Sequence, residues 1–420
     1  MSEEYIVING GRRLCGEVDV YGAKNAVLPM LAAGILTPDE VVIENCPYIT
    51  DVDFMVRLLG DLGLRVARDG RRISVCGSAT HARASEKLYT AMRSSMFMLG
   101  ALLSATGTVE MPMPGGCNIG ARPLDIHLDG LRKMGAHTEC DDKLLRCRAD
   151  RLHGADIVMR YPSVGATENL LMCASLADGY TTLVNCAREP EIVALARLLR
   201  AMGARISGEG TSVICVEGVD TLSGASVRTD GDRIVAGTVL SAVALCGGDV
   251  MLRGASDGDM QAVIRAFSSE HCDISTAREG IRVRSDGHVR AKSVITAPFP
   301  LFPTDMQPQF AACQCFSDGV SRVVETVFEN RLNHVFEFRK MGAQISVNGD
   351  CAVIRGVSRG LHPADMTAYD LRGGAGLSIA ALKVEGESRI FGTHFIDRGY
   401  ESFEETFSAL GADIRRVIGD

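Results

Sequence analysis

Positively charged residues recur at two kinds of position in this 420-residue sequence. The first is the start of a strongly apolar segment, with Lys24 in GAKNAVLP, Arg93 in AMRSSMFM and Arg372 in DLRGGAG. The second is a loop that follows a β-rich run, with Arg122 in GGCNIGARP and Arg398 in DRGYE. Unpaired N–H groups at a helix start attract anions, and an adjacent cation strengthens that attraction. Each cation taken singly is compatible with a capping or surface role, but their recurrence predicts a pocket for a ligand with several negative charges.

One cysteine has a setting unlike the others. Cys117 lies in the glycine-flanked loop PGGCNIGARP, and Arg122 follows five residues later. A nearby guanidinium favours the reactive thiolate form of a cysteine, although a loop cysteine can also be merely exposed to solvent. The remaining cysteines mostly stand in apolar segments and are predicted to be buried packing residues, among them Cys173, Cys215, Cys246, Cys313 and Cys315.

Several classes of function are disfavoured by the composition and by missing motifs. A net charge of -8 provides no basic field for nucleic acid, and we find no polybasic run or long apolar segment suited to a membrane. The sequence has no P-loop, no dinucleotide fingerprint, no nucleophile elbow and no zinc-ligand spacing. We therefore expect a cytoplasmic protein without a metal or cofactor, and nothing indicates an obligate protein partner.

A repeat of about 70 residues accounts for the whole chain. Its marker is a glycine after an amphipathic segment, as in GLRKMGAHT and EFRKMGAQI, and it recurs at Gly63, Gly135, Gly203, Gly342 and Gly411. A sixth, degenerate copy has Cys272 in place of the glycine. Six unrelated helices would not explain such even spacing.

Each repeat also contains an almost wholly apolar segment, such as AVLPMLAAGIL or IVAGTVLSAVAL, followed by glycine and a β-rich run. A helix that is apolar all round must lie in a core, whereas the amphipathic helix beside it faces solvent on one side. The predicted order is strand, buried helix, strand, surface helix and a final strand pair. This order indicates α/β units packed around central helices.

Eight motifs carry a resemblance to a known family. In chain order they are GAKNAVLP, PGGCNIGARP, PSVGATEN, AREPEI, PTDMQ, ENR, DLR and HFIDRGYE. Together they resemble the UDP-N-acetylglucosamine 1-carboxyvinyltransferases, also called UDP-N-acetylglucosamine enolpyruvyl transferases, over essentially the whole chain. The resemblance implies a two-domain inside-out α/β barrel with six βαβαββ repeats, three per domain. It places one domain at residues 1–22 and 231–420, and the other at 23–230 with the Cys117 loop.

The activity implied by the resemblance is transfer of the enolpyruvyl group of phosphoenolpyruvate to the 3'-hydroxyl of UDP-N-acetylglucosamine, with release of phosphate. This is the first committed step of peptidoglycan synthesis, and both substrates are polyanions. Two alternatives stay open: a transferase similar to enolpyruvylshikimate-phosphate synthase, and a catalytically silent paralogue that binds the nucleotide sugar.

The resemblance also assigns residue roles. Cys117 is expected to donate a proton to the enol methylene and to form a covalent phosphoenolpyruvate adduct, and Asp305 is expected to be the general base. Lys24 and Arg398 complete the catalytic set. Substrate contacts are implied for Lys24, Asn25, Arg93, Arg122, Pro123, Leu124, Asp125, Ile126, Ser163, Val164, Gly165, Asp305, Val327, Arg331, Asp370, Arg372 and Arg398.

Overall fold

The computed structural model describes residues 4–83, 88–89, 96–113, 124–357 and 360–419. Their contacts divide the chain into two compact units. The terminal unit contains the described residues of Met1–Tyr21 and Gly231–Asp420. The inserted unit contains those of Gly22–Gly116 and Arg122–Asp230.

The inserted unit has helices and strands in alternation. Its helices are α1 (Lys24–Ala33), α2 (Thr50–Asp61), α3 (Met98–Thr106), α4 (Asp125–Lys133), α5 (Val164–Ser175) and α6 (Pro190–Ala201), with a 3-10 turn at Gly34–Leu36. Its strands are β3 (Val41–Glu44), β4 (Arg65–Asp69), β5 (Arg72–Cys76), β6 (Thr108–Pro112), β7 (His137–Cys140), β8 (Leu144–Arg148), β9 (Asp156–Val158), β10 (Tyr180–Val184), β11 (Arg205–Ser207), β12 (Val213–Glu217) and β13 (Ala225–Arg228).

The terminal unit follows the same alternation. Its helices are α7 (Arg233–Cys246), α8 (Gln261–Phe267), α9 (Gln307–Gln314), α10 (His334–Lys340), α11 (Leu371–Lys383), α12 (Thr393–Ile396) and α13 (Phe403–Ala409), with a 3-10 turn at Thr304–Met306. Its strands are β1 (Glu4–Gly10), β2 (Leu14–Asp19), β14 (Gly248–Arg253), β15 (Cys272–Ala277), β16 (Gly280–Ser285), β17 (Val294–Ile295), β18 (Val320–Val324), β19 (Gln344–Asn348), β20 (Cys351–Arg355), β21 (Asp365–Thr367), β22 (Gly386–Phe391) and β23 (Asp413–Ile418).

Small mixed sheets surround the buried helices of each unit. In the described residues the inserted unit has the strand orders β13-β3-β5-β4, β6-β8-β7 and β11-β12-β10-β9. The terminal unit has β15-β16-β14-β2, β17-β18-β20-β19 and β21-β22-β1-β23. The strands before and after a buried helix pair in parallel, as β9 with β10 and β21 with β22, and the closing strands add antiparallel pairs. This is the predicted repeat order, and the two-domain α/β fold class is confirmed.

The chain exchanges strands where it passes between the units. Strand β2 precedes α1 in the sequence, yet it pairs in parallel with β14 of the terminal unit. Strand β13 precedes α7, yet it pairs in parallel with β3 of the inserted unit. Each unit therefore receives one strand from the repeat that continues in the other unit, and the chain crosses twice.

The apolar segments form the predicted central helices. In α7 every residue from Ile234 to Cys246 is buried, and in α1 every residue except Asn25 is buried. Helices α7, α9 and α11 pack against one another in the core of the terminal unit. A helix without a polar face is stable only in such surroundings, so the uniform apolar composition determines the central position.

The marker glycines end the amphipathic helices in a left-handed conformation. Gly63, Gly135, Gly203, Gly342 and Gly411 have φ angles between 89° and 109°. The degenerate repeat ends differently, because cysteine adopts that conformation only with strain. Helix α8 stops at Phe267, Ser268 is extended, and Cys272 becomes the buried first residue of β15.

The burial prediction was wrong at one of the five cysteines named from the sequence. Cys173, Cys246, Cys313 and Cys315 are buried, as expected. Cys215 is exposed, because β12 alternates and directs Ile214 and Val216 inward. Within the described ranges, none of the helices has the length and apolar character needed to span a bilayer.

Candidate active site

Lys24 is a buried cation at the beginning of α1. Its ammonium nitrogen lies 2.6 Å from Oδ2 of Asp51, which stands in the first turn of α2. The Lys24 side chain is 9% exposed and the Asp51 side chain 0%, so this ion pair is withdrawn from water. The neighbouring Asn25 is half-buried on the same helix start. The sequence indicated Lys24 but not Asp51.

The start of α5 forms a second polar feature of the inserted unit. Ser163 caps the helix, since its hydroxyl oxygen accepts a hydrogen bond from the backbone N–H of Ala166 at 3.3 Å. Val164 and Gly165 follow in the first turn and are half-buried. A helix start of this kind presents backbone N–H groups suited to a phosphate oxygen.

A buried histidine from α4 lies beside this helix start. The amide of Asn169 donates to Nδ1 of His127 at 3.1 Å, which leaves the ring hydrogen of the neutral form on Nε2. Burial lowers the pKa of His127 to about 4, although the negative charge of Asp125 acts in the opposite direction. Asp125 begins α4, forms an ion pair with Arg160, and follows the half-buried Leu124. Ile126 is also half-buried. The sequence analysis did not identify His127, although it directly follows residues 122–126, which are predicted to contact substrate.

The terminal unit brings three of the indicated residues into direct contact. Asp305 lies in the 3-10 turn before α9, and its Oδ1 accepts from Nη2 of Arg331 at 2.7 Å. Its Oδ2 accepts from Nη2 and Nε of Arg372 at 2.9 and 3.2 Å. Both arginine side chains are at most 4% exposed, whereas Asp305 is 25% exposed. One carboxylate therefore holds two buried guanidinium groups.

This arrangement controls the protonation of Asp305. Burial disfavours the charged carboxylate, but the charges and hydrogen bonds of Arg372 and Arg331 outweigh it. They hold the pKa of the Asp305 carboxyl well below its usual range. The same carboxylate raises the pKa of Arg372 against the effect of burial. Asp305 is thus a fixed negative charge throughout the neutral range.

The central helices of the terminal unit support this cluster. The Arg372 guanidinium lies 5.5 Å from the centre of the Tyr400 ring, and the Tyr400 hydroxyl lies 2.8 Å from that of Thr238 on α7. The amide of Gln309 on α9 donates to both hydroxyls. Asp370 caps α11 by accepting from the backbone N–H of Arg372 and Gly373 at 3.0 and 2.9 Å. Asp370, which the sequence predicts to contact substrate, therefore also caps this helix.

Two further residues that the sequence predicts in the site also belong to the terminal unit. Arg398 is half-buried after α12, and Val327 is half-buried in the segment after β18. Arg93, Cys117, Arg122 and Pro123 lie outside the described residues.

The comparisons with known proteins agree on the family. The family model for EPSP synthase (3-phosphoshikimate 1-carboxyvinyltransferase) matches residues 8–407. A UDP-N-acetylglucosamine 1-carboxyvinyltransferase from Halorhodospira halophila is 45% identical over 416 residues, which cover 99% of each chain. The chain belongs to the UDP-N-acetylglucosamine 1-carboxyvinyltransferase family. A relative from Caldanaerobacter subterraneus, named UDP-N-acetylglucosamine 1-carboxyvinyltransferase 2, is 43% identical over 98% of this chain and 99% of its own.

Solved structures show the same fold. The enolpyruvyl transferase NikO from Streptomyces tendae superposes with a TM-score of 0.87 at 24% identity and covers 100% of both chains. An EPSP synthase from Acinetobacter baumannii gives a TM-score of 0.75 at 17% identity over 99% of this chain and 100% of its own. At such identities the likeness concerns the architecture. Family membership rests on the sequence relatives.

Proposed function

We propose that this protein transfers the enolpyruvyl group of phosphoenolpyruvate to the 3'-hydroxyl of UDP-N-acetylglucosamine. It thereby catalyses the first committed step of peptidoglycan synthesis. The observation that carries this proposal is the 45% identity, over 99% of both chains, to a protein named for that reaction. The buried cations of the described residues support it, since both substrates are polyanions.

The proposed reaction is an addition followed by an elimination. The sugar oxygen bonds to C2 of phosphoenolpyruvate while C3 takes up a proton and the hydroxyl loses one. C3 then gives up a proton, the double bond re-forms, and the C2–O bond to phosphate breaks. Fixed positive charges around the phosphate and carboxylate hold phosphoenolpyruvate in place and stabilise the negative charge that the phosphate takes with it when the C2–O bond breaks.

The roles follow the residue types. Lys24, Arg122 and Arg398 bind the anionic groups of phosphoenolpyruvate, and Cys117 donates the proton to C3. On the nucleotide side, the start of α5 at Ser163–Gly165 offers its backbone N–H groups, and Arg93 adds a cation. Holding both substrates in reacting distance provides much of the rate enhancement in such a transfer.

Asp305 is the proposed acceptor of the hydroxyl proton, and its surroundings set a condition on that role. A general base is most effective when its pKa is near the working pH, whereas the two arginines make Asp305 a weak base. A substrate anion that takes over N–H groups of Arg331 or Arg372 would raise the pKa of Asp305. Substrate binding would then activate the base.

Phosphate release provides the direct test of this function. Purified protein is mixed with phosphoenolpyruvate and UDP-N-acetylglucosamine, with shikimate 3-phosphate as the alternative acceptor. We expect release that depends on the nucleotide sugar and falls sharply in the Cys117→Ser variant. The matched control is Cys215→Ser, which alters an exposed strand cysteine of the inserted unit and leaves the rate unchanged. Binding of the nucleotide sugar without phosphate release would instead favour the silent paralogue.

A further inference from the structure

Glu325 is a buried acid that directly follows β18 and has a full set of hydrogen-bond donors. Its Oε1 accepts from the Thr296 hydroxyl at 3.0 Å and from the backbone N–H groups of Val327 and Phe328 at 2.9 and 3.2 Å. Its Oε2 accepts from the Thr304 hydroxyl at 2.8 Å. The residue is 3% exposed, so these four bonds replace the water that a carboxylate would otherwise bind.

The direction of the two hydroxyl bonds is determined by their other partners. The Thr304 hydroxyl oxygen accepts from Nη1 of Arg331 at 3.0 Å, and the Thr296 oxygen accepts from the backbone N–H of Thr326 at 3.0 Å. Each threonine can therefore direct its own hydrogen at Glu325. All four groups then donate to Glu325, whose two oxygens only accept. An amide at this position would bring an N–H₂ group against a donor.

This chain of bonds leads to the proposed catalytic base. Arg331 donates through Nη1 to Thr304 and through Nη2 to Asp305. Its Nε has no hydrogen bond among the described residues, so these two contacts orient the guanidinium. Glu325 holds Thr304 on one side and the backbone of Val327 on the other. Val327 is a predicted sugar contact, and Asp305 is the predicted base for the sugar hydroxyl.

We propose that Glu325 is a positioning residue that holds the Arg331–Asp305 pair and the Val327 backbone in one geometry for the acceptor sugar. This inference rests on the proposed function. Glu325 acts through Thr304 and Arg331 and does not need to touch a substrate. Its contribution is the alignment of the acceptor hydroxyl with the base, on which the rate of such a reaction depends strongly.

The chain provides a matched control on the same unit. Glu337 on α10 is also buried, at 4% exposure, and its Oε2 accepts from the backbone N–H of Thr367 at 2.7 Å and from Lys340 at 2.7 Å. The Thr367 contact fixes α10 to β21, and neither of these two contacts leads to Asp305. A Glu→Gln change at either position perturbs a buried acid that anchors backbone. The two glutamates differ in that the contacts of Glu325 lead through Thr304 and Arg331 to Asp305.

The experiment compares Glu325→Gln with Glu337→Gln by phosphate release, melting temperature and calorimetric binding of UDP-N-acetylglucosamine. We expect Glu325→Gln to lower kcat by about 10- to 100-fold, because the acceptor and the base are misaligned. Glu337→Gln should retain its kcat even if its melting temperature falls equally. The Thr304→Val variant should lower kcat as well, and the double variant should fall far short of the product of the two single effects.

The outcomes separate the two proposals. Active wild-type protein together with a fully active Glu325→Gln variant overturns the role of Glu325 and leaves the function in place. Equal loss of kcat in both glutamine variants, in proportion to their melting temperatures, also overturns it. Wild-type protein that releases no phosphate with UDP-N-acetylglucosamine overturns the proposed function and this inference with it.

Discussion

The ammonium nitrogen of Lys24 lies 2.6 Å from Oδ2 of Asp51, and both side chains are buried. Lys24 begins a central helix, whereas Asp51 stands in the first turn of the surface helix of the same repeat. The carboxylate therefore holds the cation at the helix start. An anionic substrate that binds Lys24 would share the ammonium with Asp51.

The first prediction concerns this pair. Asp51→Asn removes the negative charge that pairs with a buried ammonium, which should lower the free energy of unfolding by about 3 kcal/mol. Chemical denaturation at neutral pH measures this change. The double variant Lys24→Met/Asp51→Leu should be more stable than Asp51→Asn, since an apolar pair removes the buried charges altogether. If the double variant is the less stable of the two, the pair stabilises the fold in its own right.

A second prediction uses two glycines of the same repeat. Gly60 lies on the exposed side of α2, and a Cβ there would have no neighbour within 4 Å, so Gly60→Ala should stabilise the protein by about 0.5–1 kcal/mol. Gly63 ends that helix with φ of +97°, and a Cβ would lie 2.4 Å from the Thr80 hydroxyl oxygen. Gly63→Ala should therefore destabilise by at least about 1 kcal/mol. Denaturation midpoints of the two variants that shift in the same direction would contradict this reading of the repeat.

The repeat could be predicted because its signals are local. A helix without a polar face and a glycine at a left-handed helix end each leave a pattern within a few residues. The same argument explains the degenerate sixth copy, where Cys272 in place of glycine changes how the helix ends. The exposure of Cys215 follows from strand register, which a short apolar run does not define.

The site was only partly predictable, because buried polar contacts depend on tertiary packing. From the sequence, Asp51 at a helix start is expected only to interact favourably with the positive end of the helix dipole. Glu325 reads as a strand-end acid, and its four donors come from three different segments. The roles of Cys117 and Arg122 stay predictions, because both lie outside the described residues.

The third prediction concerns a buried acid of α5. Neither carboxyl oxygen of Glu168 has a hydrogen bond among the described residues, and burial, with the charges of Glu191 and Glu189, raises its pKa well above the usual value. The folded state thus retains a proton that the unfolded chain loses above about pH 4.3, so stability falls as pH rises from that value.

Glu168→Gln removes this proton linkage while it keeps the size of the side chain. The variant should be more stable than the wild type at pH 8, and the difference should shrink as the pH approaches 4. Denaturation curves at pH 4.5, 6 and 8 measure the trend. A stability difference that is constant over this range would show that Glu168 is ionised in the folded protein.

The last prediction concerns the base. Because the pKa of Asp305 is depressed, its stabilising effect is present above about pH 3.9 and is lost only as pH falls through the folded value. Asp305 should therefore remain ionised down to about pH 5, and it should not produce an acid limb in kcat/KM of the wild type above that pH.

Arg372→Gln removes one of the two guanidinium groups and should raise the pKa of Asp305. The variant should have a lower maximal kcat/KM and an acid limb at higher pH than the wild type, since kcat/KM reports groups of the free enzyme. Arg389→Gln is the control, because Arg389 pairs with Glu387 in an exposed contact of the same unit. If the pH profile of Arg372→Gln keeps the wild-type shape at reduced height, Arg372 acts on the substrate anion and not on the protonation of Asp305.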